Sequence, residues 1–210
     1  MEPNLSSKWK YNMNNAESVL IVEDELISAM SISELLEQED YAIAGIAKDA
    51  DTAMRICREK APQVIICDIN IKGELNGIEL AKQIRTLYNS QVIFLTAYTD
   101  TNTVESAAAV DPVMYVVKPF NDRQLLVAVQ MAFHRLYKSQ LPVRNTSLQL
   151  TSREMEIAQL VGQGLSSKQI AGQLFISEET VKTHRRRMLQ KNNINNFPQL
   201  IYLLKGAKGA

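Results

Sequence analysis

Residues 64–70 read VIICDIN. Four apolar side chains in succession run directly into a carboxylate. A strand with one wet face alternates apolar and polar residues, so an unbroken apolar run fits a strand covered on both faces. The same pattern recurs on either side. Short apolar runs occur at Val19–Val22, Tyr41–Ala47, Gln91–Ala97 and Val113–Val117. Stripes at helical spacing lie between them: Leu26, Ala29, Met30, Ser33 and Leu36; Ala50, Ala53, Met54 and Cys57; Ile78, Ala81, Ile84 and Tyr88; a weaker, Ala-rich Thr101–Val110; and Leu125, Leu126, Val129, Ala132, Phe133 and Leu136. Five strands alternating with five helices predict an α/β fold, a doubly wound five-stranded parallel sheet. Such sheets build their sites at the carboxyl ends of the strands, where Asp68 falls.

Beyond residue 138 the pattern changes. SQLPVRNTS (139–147) carries Pro142 and polar residues and reads as a linker. Only helical signals follow, so residues 148–208 are expected to be an all-α unit of four helices. Residues 1–17, polar and Asn/Ser-rich, are expected to form a disordered tail. Charge follows the same division. The 210 residues hold 23 Lys+Arg and 23 Asp+Glu, a net charge of zero that taken whole argues against a polyanionic partner. Yet residues 18–138 carry 17 acids and 11 bases, and residues 139–210 carry 4 acids and 10 bases. The second unit therefore calls for an electrostatic partner. No apolar run approaches the roughly 18 residues of a membrane span, and the first residues lack the apolar core of a signal peptide. Two cysteines among apolar residues fit a reduced cytoplasmic protein better than a disulfide scaffold or a zinc site.

The predicted strand ends carry unusual chemistry. Glu23-Asp24-Glu25 follows the first strand, Asp68 ends the third, Thr96 ends the fourth and Lys118 ends the fifth. A parallel sheet gathers these ends on one rim. Carboxylates collected there repel one another, and Mg²⁺, which takes a few carboxylates plus water or phosphate oxygens, is the natural neutraliser. Carboxylate, metal, lysine and hydroxyl together make a phosphoryl-transfer site. Singly, each residue has a plainer explanation: an Asp at a strand end as a turn former, acids after a first strand as the start of a helix, Tyr115 as core. Jointly, those explanations must also cover Thr96-Ala97 and Lys118-Pro119, and there they strain.

VLIVEDE (19–25), VIICDIN (64–70), FLTAY (94–98) and YVVKPF (115–120), in that order, resemble the receiver domain of bacterial two-component response regulators over about residues 18–138. The resemblance implies that Asp68 is the phosphoacceptor. It implies that Asp24, Asp68 and the Asn70 backbone carbonyl hold Mg²⁺ with Glu23 supporting through water. It also implies that Lys118 and Thr96 contact the phosphoryl group, that Tyr115 turns inward with Thr96, and that Lys118-Pro119 is cis. The loop INIKGELNGIEL (69–80) is a residue longer than in many receivers, and Glu23 replaces the more usual Asp. Tyr98, two residues past Thr96, is expected to shield the acyl phosphate from water. Phosphatases of the haloacid-dehalogenase type also use an Asp after a strand, but need a second Asp two residues on as general acid; here that residue is Asn70.

In the second unit, Thr151 and Glu154 form a capping box for a helix that stops near Gly164. Ser166 or Ser167 starts the next, and Ser177 a third over about Ser177–Asn192. This last helix holds Lys182, Arg185, Arg186, Arg187 and Lys191, with Val181, Met188 and Leu189 facing the other way. Positions 179, 182, 183 and 186 share one side. Alone, a basic helix is most simply a solvated face. With its neighbours LTSREMEIAQLVGQGLSSKQIA (150–171) and LFISEETVKTHRRRML (174–189), it resembles the LuxR-type helix-turn-helix domain. The resemblance implies a recognition helix entering the major groove. Lys182, Thr183 and Arg186 would reach bases or nearby phosphates, and Arg185 and Arg187 the DNA backbone. Leu200, Ile201 and Leu204 on the last helix would form a dimer face, or simply core.

Together these readings predict a cytoplasmic, phosphorylation-controlled, DNA-binding transcriptional regulator that is not an enzyme. Its expected partners are a histidine kinase, promoter DNA and, on activation, a second copy of itself. The opposed charges of the two units and the short linker suggest that the receiver masks the recognition helix before phosphorylation. The alternative is a receiver-type dimerisation module that works without phosphorylation.

Overall fold

A computed structural model describes residues 17–97, 107–140, 148–194 and 196–206. Residues 1–16 of the expected tail, Tyr98, most of the Thr101–Val110 helix and residues 141–147 of the linker lie outside the described residues. Five strands, β1 (Ser18–Val22), β2 (Ala42–Ala47), β3 (Val64–Asp68), β4 (Gln91–Thr96) and β5 (Met114–Val117), pair in parallel in the order β2-β1-β3-β4-β5. The order reverses between β1 and β3, which opens a crevice at their carboxyl ends. The inner strands β1, β3 and β4 are buried on both faces, as their unbroken apolar runs require, while the edge strands β2 and β5 are mostly half-buried. Leu20, Ile65, Cys67 and Phe94 face the helices α2 (Ala50–Lys60) and α3 (Gly77–Tyr88). Val19, Ile21, Ile66 and Ile93 face α1 (Leu26–Gln38) and α4 (Asp122–Gln140).

Most predicted stripes are the buried ones, but α1 differs. Its core positions are Ala29, Ile32 and Leu36. Leu26 and Met30, expected to be inside, are 67% and 57% exposed. The helix turns Ile32, a residue the apolar count had left out, inward beside Ala29, and Leu26 and Met30 fall on its outer side. The α4 helix runs to Gln140, so Ser139 and Gln140 are helical where a linker was expected.

Four helices follow: α5 (Ser152–Gly162), α6 (Ser167–Leu174), α7 (Glu178–Asn192) and α8 (Phe197–Gly206). Thr151 and Glu154 form the capping box of α5, Ser166 caps α6, and Ser177 caps α7 through Thr180 N–H. Gly164 ends the first of these with φ +83°, a left-handed position that suits glycine. Ile157, Ile170, Val181, Met188 and Leu200 form a separate core. Each such side chain contributes roughly 1.5–3 kcal/mol on full burial.

The two units touch. Tyr202 of α8 packs between His134 and Tyr137 of α4, with ring centroids 5.3 and 5.6 Å away. Gln130 and Arg123 of α4 donate to the carbonyls of Val161 and Gln163. A Cβ on Gly164 would come within 2.4 Å of Val127, so a glycine is what lets the α5–α6 turn close on α4.

Candidate functional site

At the carboxyl rim, β1 delivers Glu23 and Asp24, β3 delivers Asp68, and the residue after β5 is Lys118. Glu23 and Asp68 are buried. One oxygen from each of Glu23, Asp24 and Asp68 lies within 4.8 Å of the others. At an effective dielectric of about 20, two carboxylates at such a separation repel by roughly 3 kcal/mol, so cations must hold the cluster together. Lys118 Nζ lies 2.6 Å from Asp68 Oδ2 and 2.5 Å from Glu23 Oε2. Burial pulls the Lys118 pKa down, but hydrogen bonds and charge from Asp68 and Glu23 outweigh it, so the ammonium is held above its ordinary value. Lys72, in the long loop after Asp68, pairs with Asp24 at 3.1 Å.

The local fold sets each oxygen. Asn70 N–H donates to Asp68 Oδ1 at 2.8 Å, leaving Oδ2 to Lys118. Ser28 Oγ and Glu25 N–H donate to Glu23. Gly77 opens α3 directly behind Asp68, where a Cβ would lie 2.0 Å from the Asp68 carbonyl oxygen. Asn76 caps that helix in a box with Glu79. Thr96 ends β4 beside Val117, and its carbonyl accepts from Lys118 N–H at 2.8 Å. Tyr115 stacks on Phe94 at 5.8 Å, and its buried hydroxyl has no partner among the described residues. Lys118-Pro119 is cis. Three clustered carboxylate oxygens are a hard-oxygen donor set that fits Mg²⁺.

The basic helix α7 carries Val181, Arg185 and Met188 on its buried face. Arg186 and Arg187 are exposed, Lys182 and Thr183 half-buried. The expectation for Arg185 is corrected: it does not stand on an outward DNA face. It shares the inward face with Val181 and Met188 by i, i+4, i+7 spacing, and is 2% exposed. Its guanidinium lies over the Phe197 ring at 4.8 Å and reaches across to the end of α1. There it pairs with the Glu39 carboxylate and donates to the Glu39 carbonyl at 2.6 Å. Asp40 is 3.4 Å away. Ser167 closes the knot: its N–H and Oγ donate to Glu39 at 2.7 and 3.0 Å, and its Oγ accepts from Arg185 at 2.8 Å. Glu39 and Ser167 had no signal in the sequence, since each looks like an ordinary helix-end residue until the two units meet. Leu200, Ile201 and Leu204, read as dimer face or core, lie in the core of the second unit.

Comparison with known proteins matches residues 19–130 to the response regulator receiver domain and residues 148–204 to the luxR family of bacterial regulatory proteins. The transcriptional regulatory protein LiaR of Bacillus subtilis is 30% identical over 197 residues, covering 86% of this chain and 93% of the relative. The signal receiver domain of a modulated diguanylate cyclase from Desulfovibrio desulfuricans superposes with a TM-score of 0.56 at 30% identity, over 59% of this chain and 98% of that one. A LuxR-family DNA-binding response regulator from Staphylococcus aureus gives 0.52 at 26%, over 55% and 97%.

Proposed function

The chain belongs to the response regulators, a receiver unit joined to a luxR-family DNA-binding unit, and from that premise we propose that Asp68 is the phosphoacceptor that governs its DNA binding. We take residues 18–138 as the receiver and 148–208 as the DNA-binding unit. The observation that carries this reading is the bridge from Lys118 to both Asp68 and Glu23 across three strand ends. An Asp68 oxygen attacks the phosphorus of a phosphohistidine on a partner kinase, or of a small acyl phosphate. The P–N or P–O bond breaks, its electron pair leaves with the donor, and an acyl phosphate remains on Asp68. Lys118 neutralises the transferring oxygens, and the Thr96 hydroxyl donates to one of them. Glu23, Asp24, Asp68 and the Asn70 carbonyl would hold Mg²⁺, which supplies positive charge to the same oxygens. The chain acts as a cytoplasmic regulator and not an enzyme, with at most slow loss of its own phosphoryl group.

Before phosphorylation, the turn at Glu39-Asp40 engages Arg185 of the recognition helix, and this docked state keeps α7 from a duplex. Phosphorylation shifts the population toward parted units. Lys182, Thr183, Arg186 and Arg187 then meet DNA, and a second copy joins on paired half-sites. Mass spectrometry with Mg²⁺ and a small phosphodonor tests the core of this. One phosphoryl group per chain on wild type and none on Asp68→Ala is expected. No gain on wild type would favour a dimerisation module that ignores phosphate, and rapid multiple turnover would make the protein an enzyme.

A further inference from the structure

The first turn of α7 carries two acids, Glu178 and Glu179. Both suit the positive end of the helix dipole, and that alone would explain either. Their surroundings differ. Glu178 is neutralised by Lys182, whose Nζ lies 2.8 Å from Oε1. Glu179 is exposed, and no hydrogen bond or ion pair ties its side chain to any described residue.

Helical spacing puts Glu179 on the side of Lys182, Thr183 and Arg186, opposite the buried Val181, Arg185 and Met188. From 179 to 186 the helix advances about 10 Å, roughly three base steps. Side chains lean toward the amino end of a helix, so Glu179 leads the row. An unpaired carboxylate brought to a polyanion is repelled by phosphates and by base acceptors. It is tolerated there only where a base offers a donor. In the major groove the exposed donors are the N4 amino group of cytosine and the N6 amino group of adenine. Adenine sets its N7 acceptor beside that amino group, which a carboxylate also opposes. Cytosine carries no acceptor of its own on that edge; its one acceptor neighbour is O6 of the paired guanine, as O4 of the paired thymine is for adenine.

We propose that Glu179 is a specificity-determining residue that reads the N4 amino group of a cytosine in the major groove and rejects guanine and thymine at that position. This rests on α7 being the recognition helix. The two charges of the first turn then divide their work: Glu178 holds Lys182 in place, and Glu179 selects by repulsion as well as by attraction.

The test is selection from a randomised duplex library by the full chain, phosphorylated with Mg²⁺ and a small phosphodonor, followed by titration of the selected site with each base at each position. Wild type should prefer cytosine at one position by about tenfold. Glu179→Ala should lose that preference alone, keep the rest of the motif, and bind unselected DNA more tightly because a repulsive charge is gone. Glu179→Gln should move the preference to adenine, which an amide contacts through N6 and N7. Lys182→Ala and Arg186→Ala are run beside them. If these two change the motif and Glu179→Ala leaves it intact, the proposal for Glu179 is overturned while the recognition helix stands. If none of the three changes it, or wild type selects no motif, the reading of α7 fails and the proposal with it.

Discussion

Replacing Glu39 with alanine should unlock the two units without any phosphoryl group. The Glu39 carboxylate takes two hydrogen bonds from Ser167, at 2.7 and 3.0 Å, and the charge of Arg185. Removing one partner of a buried ion pair costs about 3–5 kcal/mol when the other charge stays buried. Arg185 need not stay buried, because the units can part and let water reach it. The cost then becomes a bias toward parting. The Arg185 bonds to the Glu39 carbonyl and to Asp40 survive the change, which argues for the lower end, about 3 kcal/mol or roughly 100-fold. Apparent DNA affinity scales with the open fraction. Unphosphorylated Glu39→Ala should therefore bind a selected duplex up to ~100-fold more tightly than unphosphorylated wild type, until every molecule is open. Hydrogen exchange of the Ser167 amide should rise in parallel. The double variant Glu39→Leu with Arg185→Met replaces the pair with apolar bulk, a swap that is often neutral or stabilising, and should return DNA binding to the wild-type level. Unchanged affinity and unchanged Ser167 protection in Glu39→Ala would refute the docked state as the brake.

Three further outcomes follow from the packing and the charges. Gly77→Ala sets a methyl 2.0 Å from the Asp68 carbonyl; β3 or α3 must move, at a cost of about 3 kcal/mol or more, and both Tm and the rate of phosphorylation at Asp68 should fall. Gly164→Ala combines φ +83° with a clash on Val127, so exchange protection across the α4 contact should drop while the core of the second unit keeps its own. Glu17 is held at a pKa of about 7, first by desolvation, against an ordinary 4.5, while Asn196 opposes the shift. A carboxyl group whose pKa is raised by folding binds more protons folded than unfolded, so its contribution is present below pH 4.5 and is lost as pH rises through about 7. Thermal melts from pH 5 to 8 should therefore show wild type losing Tm relative to Glu17→Gln.

The parts of this protein that could be read from the chain are those whose partners are local or periodic. VIICDIN and its sister runs announce a sheet covered on both faces, because burial on both sides leaves no polar position in a strand. The strand-end residues Glu23, Asp24, Asp68 and Lys118 are far apart in sequence, but a parallel sheet has only one carboxyl rim, so their meeting follows from topology. Capping boxes such as Thr151 with Glu154 span only four residues and speak for themselves. Reading by composition failed on α1, where Leu26 and Met30 count as apolar yet face outward, since a stripe records which residues could be buried and not which side the neighbours occupy. It failed again on Arg185. Five basic residues on one helix look like one charged face until the 3.6-residue turn is followed, and then Arg185 falls with Val181 and Met188. Even that geometry names no partner, because Glu39 lies 146 residues away on a surface that only docking brings near.

The knot at Arg185 and the site at Asp68 lie at opposite ends of α1. Ser28 in its first turn holds Glu23, and Glu39 follows its last residue. Thirteen residues span about 20 Å, so a phosphoryl group cannot touch the knot. It can act only by favouring one packing of the receiver over another, and that lever has limited strength: moving a population from 99:1 to 1:99 takes about 5.5 kcal/mol of differential stabilisation. A brake that must yield to such a lever cannot be held by a large apolar face. A buried ion pair meets the requirement, because desolvation cancels most of its Coulombic gain and leaves little net stability with a demanding geometry. The opposed charges of the two units add an attraction that salt screens within about 8 Å, whereas the pair, shut away from ions, is barely screened. Geometry would then come from Arg185, Ser167 and Glu39, and the approach from the field, so that docking is specific without being strong.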